Sequence, residues 1–137
     1  MSANRDRVLA QAWFAAAQKD VELADLVLRS RFFASACFTC QQAAEKALKA
    51  YLLARGRGLV RMHFLPGLLQ ECQIFDAGFA GLLDACLVLT SYYTDTRYPE
   101  SPEGLDAFDA ATALQALGLA HLVVEHVQKA MRATLGS

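Results

Sequence analysis

Arg55, Arg57, Arg61 and His63 fall within nine residues, a density of cationic or titratable groups suited to gripping a phosphate or a nucleotide tail. Lys46 and Lys49 stand one to two turns earlier, on the polar face of the preceding helical stretch. The competing reading of this cluster is a solvated helix end whose cations complement the helix dipole. His63 adds proton chemistry, because an imidazole titrates near neutral pH. Placed at the start of a short helix, it either caps that helix or acts as an acid or base beside a nucleophile. Arg97 lies between Tyr92-Tyr93 and Tyr98-Pro99. A guanidinium so placed can stack on rings and bind a phosphate bidentately, or it can pin an irregular loop through a salt bridge.

Carboxylates that would orient these cations can also be read. Asp20 belongs to the inward line Trp13, Ala17, Asp20, Ala24, where a charge amid apolar side chains needs a cation or several donors. Arg97 is the expected partner, and a structural buttress is the alternative. Glu45 lies one turn from Gln41 at the edge of an apolar arc, and polar groups there require partners. Asp95, two residues before Arg97, is a third orienting candidate. His121 shares a line with Glu125, Gln128 and Arg132 on the outer face of the last helix. Cys37 and Cys40 sit mid-helix, while Cys72 and Cys86 stand alone. A structural zinc site would need a second close pair, so the thiols read as small buried apolar groups. Neither a metal nor a cofactor is expected, and no Gly-rich phosphate loop or Ser-His-Asp set is present.

The elements that position these residues read as helices throughout. The first is expected from about Arg5 to Arg29, with Leu9, Trp13, Ala16, Ala17, Ala24, Val27 and Leu28 inward. The second, from about Phe32 to Arg55, is apolar over well more than half its circumference. Only Ser35, Thr39, Gln42, Lys46 and Lys49 make a polar face, with Leu53 the lone apolar residue on it. A helix with so wide an arc must be covered on two sides, by its own bundle or by a second subunit. Gly56 and Gly58 end it. A short third helix follows from about Leu65 to Gln73, with Pro66 in its first turn. A fourth, from about Phe79 to Tyr93, directs Phe79, Leu82, Leu83, Cys86, Leu89 and Tyr93 inward. Pro99 and Pro102 bar a helix between Thr94 and Gly104. The fifth runs from about Asp106 to Leu135.

One domain accounts for all 137 residues. The hydrophobic share of 55% is high for a monomer of this size, so a homodimer is expected. No run approaches eighteen uncharged apolar residues and no signal-peptide pattern opens the chain, so a cytoplasmic protein with no membrane role is expected. A formal charge of −1 argues against a chain built chiefly to grip nucleic acid, since such domains carry a basic excess.

Four segments together resemble the HEPN domain family: Trp13-x3-Ala17-x2-Asp20-x3-Ala24, then CFTCQQAAEKALKAYLLA from Cys37 to Ala54, then His63-x-Leu65-x2-Leu68-Leu69, then Tyr92 to Pro99. The resemblance implies an all-α, antiparallel up-and-down bundle of four to five helices. It also implies one of two activities. Some family members are metal-independent ribonucleases that bring an Arg and a His, four to six residues apart, together across a dimer. Others pair with minimal nucleotidyltransferases in toxin–antitoxin systems, or bind nucleotides. Here Arg97 stands near the place the resemblance implies for the family's arginine and no His follows within six residues, whereas Arg57-x5-His63 has the literal spacing in another loop. The expectation is therefore a nucleotide- or RNA-phosphate-binding module using Arg97, His63, Arg57, Arg61 and Lys49, oriented by Asp20, Glu45 and Asp95, beside a nucleotidyltransferase. A ribonuclease using His63 with Arg97 or Arg57 is the alternative, and a purely structural interaction protein is the third reading.

Overall fold

A computed structural model describes residues 3–96 and 108–136. Two long helices open the chain, α1 over Ala3–Arg29 and α2 over Phe33–Ala54. The turn between them closes α1 with paired backbone bonds, Arg31 N to Leu28 O at 2.9 Å and Phe32 N to Val27 O at 2.8 Å. This pattern satisfies carbonyls orphaned at a helix end and usually has glycine at its left-handed position; here Arg31 occupies that position with φ 69°. The same pattern ends α2, where Gly56 takes φ 79° and the amides of Gly56 and Arg57 reach Leu53 O and Leu52 O. Glycine fits there without a Cβ penalty, as the sequence predicts.

Helix α3 spans Leu65–Phe75, with Pro66 in its first turn. Next comes not one helix but a 3-10 segment, Ala77–Leu82, followed by α4, Leu83–Thr90, and the single turn α5, Tyr92–Asp95. The expected continuous helix from Phe79 to Tyr93 is broken for two local reasons. Asp76 is extended and its side chain accepts from Gly78 N, which starts a tight turn. Ser91 Oγ donates to Val88 O at 2.9 Å, a side-chain bond of the kind that bends a helix end. The changed phase leaves Leu83 exposed and buries Tyr92 rather than Tyr93. The last helix, α6, covers Ala110–Leu135; Asp109 caps it by accepting from Thr112 N at 2.8 Å. Those bonds hold the Asp109 carboxyl below its ordinary range. Its expected start near Asp106 and the segment containing Arg97 lie outside the described residues.

The result is an all-α bundle with α2 at its centre. Helix α1 packs on it through Ala10, Ala17, Val21 and Ala24, and α6 through Ala113, Ala116, Ala120, Val123 and Val127. The small side chains let the three long backbones approach closely. The remaining side is covered by α3 to α5, where Leu65, Leu68, Leu69, Phe79 and Leu89 are buried and the Phe79 ring meets Tyr51 at 4.5 Å. The chain itself thus covers the wide apolar arc of α2. Coverage extends past that arc: Leu53 and Lys49, expected on an outward polar face, are 2% and 5% exposed. On α1, Ala10 and Val21 are buried where Leu9 was expected inward, and Leu9 is exposed. Helix α6 is long and apolar enough to cross a membrane by length and composition, with 33% of its most apolar window buried inside the bundle.

Candidate functional site

Four polar side chains converge where the middle of α2, the loop after it and α5 meet. Gln41, Glu45 and Lys49 occupy one line of α2 at i, i+4 and i+8, so their side chains stack along a single face. Lys49 Nζ donates to Glu45 Oε2 at 2.9 Å, and His63 Nδ1 lies 2.9 Å from the same oxygen. Gln41 Nε2 donates to Glu45 Oε1 at 3.0 Å and reaches toward the His63 carbonyl at 3.4 Å, while Gln41 Oε1 accepts from Gln42 Nε2 at 2.7 Å. Both carboxylate oxygens are thereby satisfied. The Glu45 and Lys49 side chains are only 7% and 6% exposed, and a charge pair so buried is tolerated when its hydrogen bonds are filled. The Lys49 ammonium also lies 5.9 Å from the centre of the Trp13 ring on α1, within reach of a cation–π attraction.

His63 is the accessible member, with half of its side chain exposed. Its ring stacks on Tyr93 at 4.5 Å and an interplanar angle of 16°. With Nδ1 donating to Glu45, the neutral ring has its acceptor at Nε2. His63 does not cap α3. The position before that helix is Phe64, which makes no side-chain cap, and the Leu65 amide instead donates to Thr90 Oγ1 on α4 at 3.0 Å. This bond ties the start of α3, and with it the His63 backbone, to the bundle.

The other cations of the loop diverge. Arg55 lies over the Phe75 ring at 5.1 Å, and Arg57 pairs with Glu71 at 3.0 Å. Arg61 is exposed, two residues before His63. Lys49 is held inside rather than offered at the surface. The expectation that it lies on an outward face fails because α1 covers that side of α2. Asp20 sits on α1 as expected, with Lys46 Nζ 2.8 Å from its Oδ2. That oxygen is shut off from water and has no aligned hydrogen bond, so the contact is a charge pair. Asp95 is exposed at the end of α5, and Arg97 lies outside the described residues. His121 is at the surface between α1 and α6, whereas His126 packs edge-on against Phe79 at 4.5 Å. The four cysteines are buried free thiols. Burial pushes Cys37 up to about 11 and Cys40 and Cys86 to about 12, and Cys72 up as well; none is a nucleophile at neutral pH. Among the described residues no three His, Cys, Asp or Glu side chains converge to hold a metal.

Gln41 was read with Glu45 as a polar group needing partners, whereas Gln42, Trp13 and Tyr93 were not singled out as site residues by the sequence. For Gln41 the signal was present in the i, i+4, i+8 spacing of Gln41, Glu45 and Lys49. For Trp13 and Tyr93 it was not, since their contacts depend on how α1 and α5 pack.

A model of the HEPN domain family matches residues 10–133, and the chain belongs to that family. Among solved structures, TT1696 from Thermus thermophilus is 33% identical, with 88% of this chain and 97% of that one aligned at a TM-score of 0.82. An archaeal HEPN homologue, ST0689, is 26% identical over 89% of this chain and 97% of its own, with a TM-score of 0.75. No curated protein matches.

The Asp20–Lys46 pair makes a stability prediction. Lys46→Met strands a carboxylate oxygen that water does not reach and should cost about 2 kcal/mol at neutral pH. Asp20→Asn, which removes the charge, should cost less. Urea denaturation of the two variants checks this, and a loss below about 0.5 kcal/mol for Lys46→Met would contradict it.

Proposed function

We propose that this chain binds the phosphate of a nucleotide or RNA at the His63 face, acting beside a minimal nucleotidyltransferase in a toxin–antitoxin pair. One observation carries the reading: the His63 ring is fixed from behind by Glu45 and from the side by Tyr93, and half of it faces solvent. A fixed ring loses little entropy on contacting an anion. Exposed Arg61 supplies nearby positive charge, and Arg97, four residues after Tyr93, is proposed to add a guanidinium. Arg57, neutralised by Glu71, contributes less. Family membership supports the nucleotidyltransferase partner. The same geometry favours a second reading, a metal-independent ribonuclease, because a carboxylate-oriented imidazole is also an acid or base in waiting.

Both readings are tested by incubating wild type and His63→Ala with labelled RNA and with a nucleotide in EDTA. The expected outcome is binding that weakens with salt, drops roughly tenfold in His63→Ala, and is accompanied by no cleavage. Cleavage lost in His63→Ala would establish the ribonuclease instead. Absence of binding with intact RNA would leave an interaction protein.

We further propose a homodimer. Val8 and Leu26 on α1, and Leu114 and Leu122 on α6, are 59%, 52%, 58% and 49% exposed. The same two helices also flank a groove whose lining mixes Lys19 and His121 with Glu22 and Glu125. Apolar residues with both charge signs suit a self-complementary contact. Light scattering at micromolar concentration should give twice the chain mass; the monomer mass alone would refute the dimer.

A further inference from the structure

Glu45 carries one negative charge and serves two nitrogens. Lys49 Nζ and His63 Nδ1 each lie 2.9 Å from its Oε2, so the two are no farther apart than twice that distance. At such range a full charge on one changes the proton affinity of the other. Lys49 cannot swing out to be screened: its side chain is 6% exposed and packed against Trp13. Among the described residues, the other groups around His63 are rings, paired charges or exposed charges. Tyr93 on α5 presents a ring face, and Lys46, one turn back on α2, is paired with Asp20 of α1. Arg61 precedes His63 in the loop and is exposed, and Asp95 at the end of α5 is exposed as well, so both are screened by water.

We propose that Lys49 is a positioning residue that sets the charge His63 presents to a phosphate, by cancelling Glu45. The cluster is then neutral when the imidazole is unprotonated and carries one positive charge when it is protonated. The proposal rests on the reading of His63 as the phosphate-contacting group. Its functional consequence is linkage. An anion favours the protonated ring, so binding takes up a proton, and affinity falls as pH rises through the His63 titration. Were Glu45 not cancelled, the protonated site would be neutral overall and would attract phosphate far less.

The test is an NMR titration of the His63 ring in four proteins: wild type, Lys49→Met, Glu45→Gln, and the double variant with both changes. Lys49→Met should raise the midpoint, because His63 then faces an uncancelled carboxylate. Glu45→Gln should lower it, because only the Lys49 charge remains. The double variant, which removes both charges together and so avoids stranding either, should titrate above Glu45→Gln, since the Lys49 charge no longer opposes protonation of the ring. A double variant that titrates like Glu45→Gln would show that Lys49 exerts no influence and would overturn the proposal, even if Lys49→Met fails to fold. Repeating the titrations with inorganic phosphate separates the two claims. Opposite shifts in the single variants with no response to phosphate would keep the role of Lys49 and end the phosphate-binding reading.

Discussion

The burial of the Glu45 carboxylate is the constraint around which this molecule is arranged at its functional end. A charge placed on the central helix of a bundle has to be answered by donors from inside the bundle, and here three arrive from two directions. Gln41 and Lys49 come from the same helix, one turn to either side, and His63 comes from the loop after it. The loop must therefore return to α2, and the Thr90 hydroxyl that receives the Leu65 amide fixes where it returns. Removing the carboxylate would release the His63 ring from its anchor and leave the Lys49 ammonium unpaired in the interior. Fold and site are coupled through one side chain.

The helical plan was legible because its signals are local. Apolar residues recurring at helical spacing located every long helix, and Gly56 marked the end of α2 through its left-handed backbone. The turn after α1 shows how such signals miss. The same capping geometry is made there by Arg31, which costs about 1 kcal/mol relative to glycine and leaves no glycine in the sequence. The broken fourth helix is a similar case, since Asp76 and Ser91 act through side-chain bonds that compete with helix geometry.

The site was legible in part. Glu45 and Gln41 stood at the edge of the apolar arc as polar groups requiring partners, and His63 stood out among its cationic neighbours. Their convergence did not, because it depends on the path of the loop between α2 and α3. Lys49 was expected to face outward from the hydrophobic pattern of α2 alone. That pattern cannot show that neighbours would cover the helix on nearly all sides, or that a long side chain would fold back on Glu45. Asp20 was placed correctly as a carboxylate needing a cation, but Lys46 on the adjacent helix lies against it, a contact set by the pairing of α1 with α2 rather than by any motif.

The central claim is that Glu45 holds the His63 imidazole in one orientation with the Nδ1 proton directed inward and Nε2 available outward. Nitrogen NMR of the His63 ring, recorded in the wild type above the pH at which the ring loses its extra proton, reads this directly. The account requires the tautomer protonated at Nδ1, with Nε2 bare, and its loss when Glu45 is replaced by Ala. A ring protonated at Nε2, or one averaging between the two tautomers in the wild type, would contradict it.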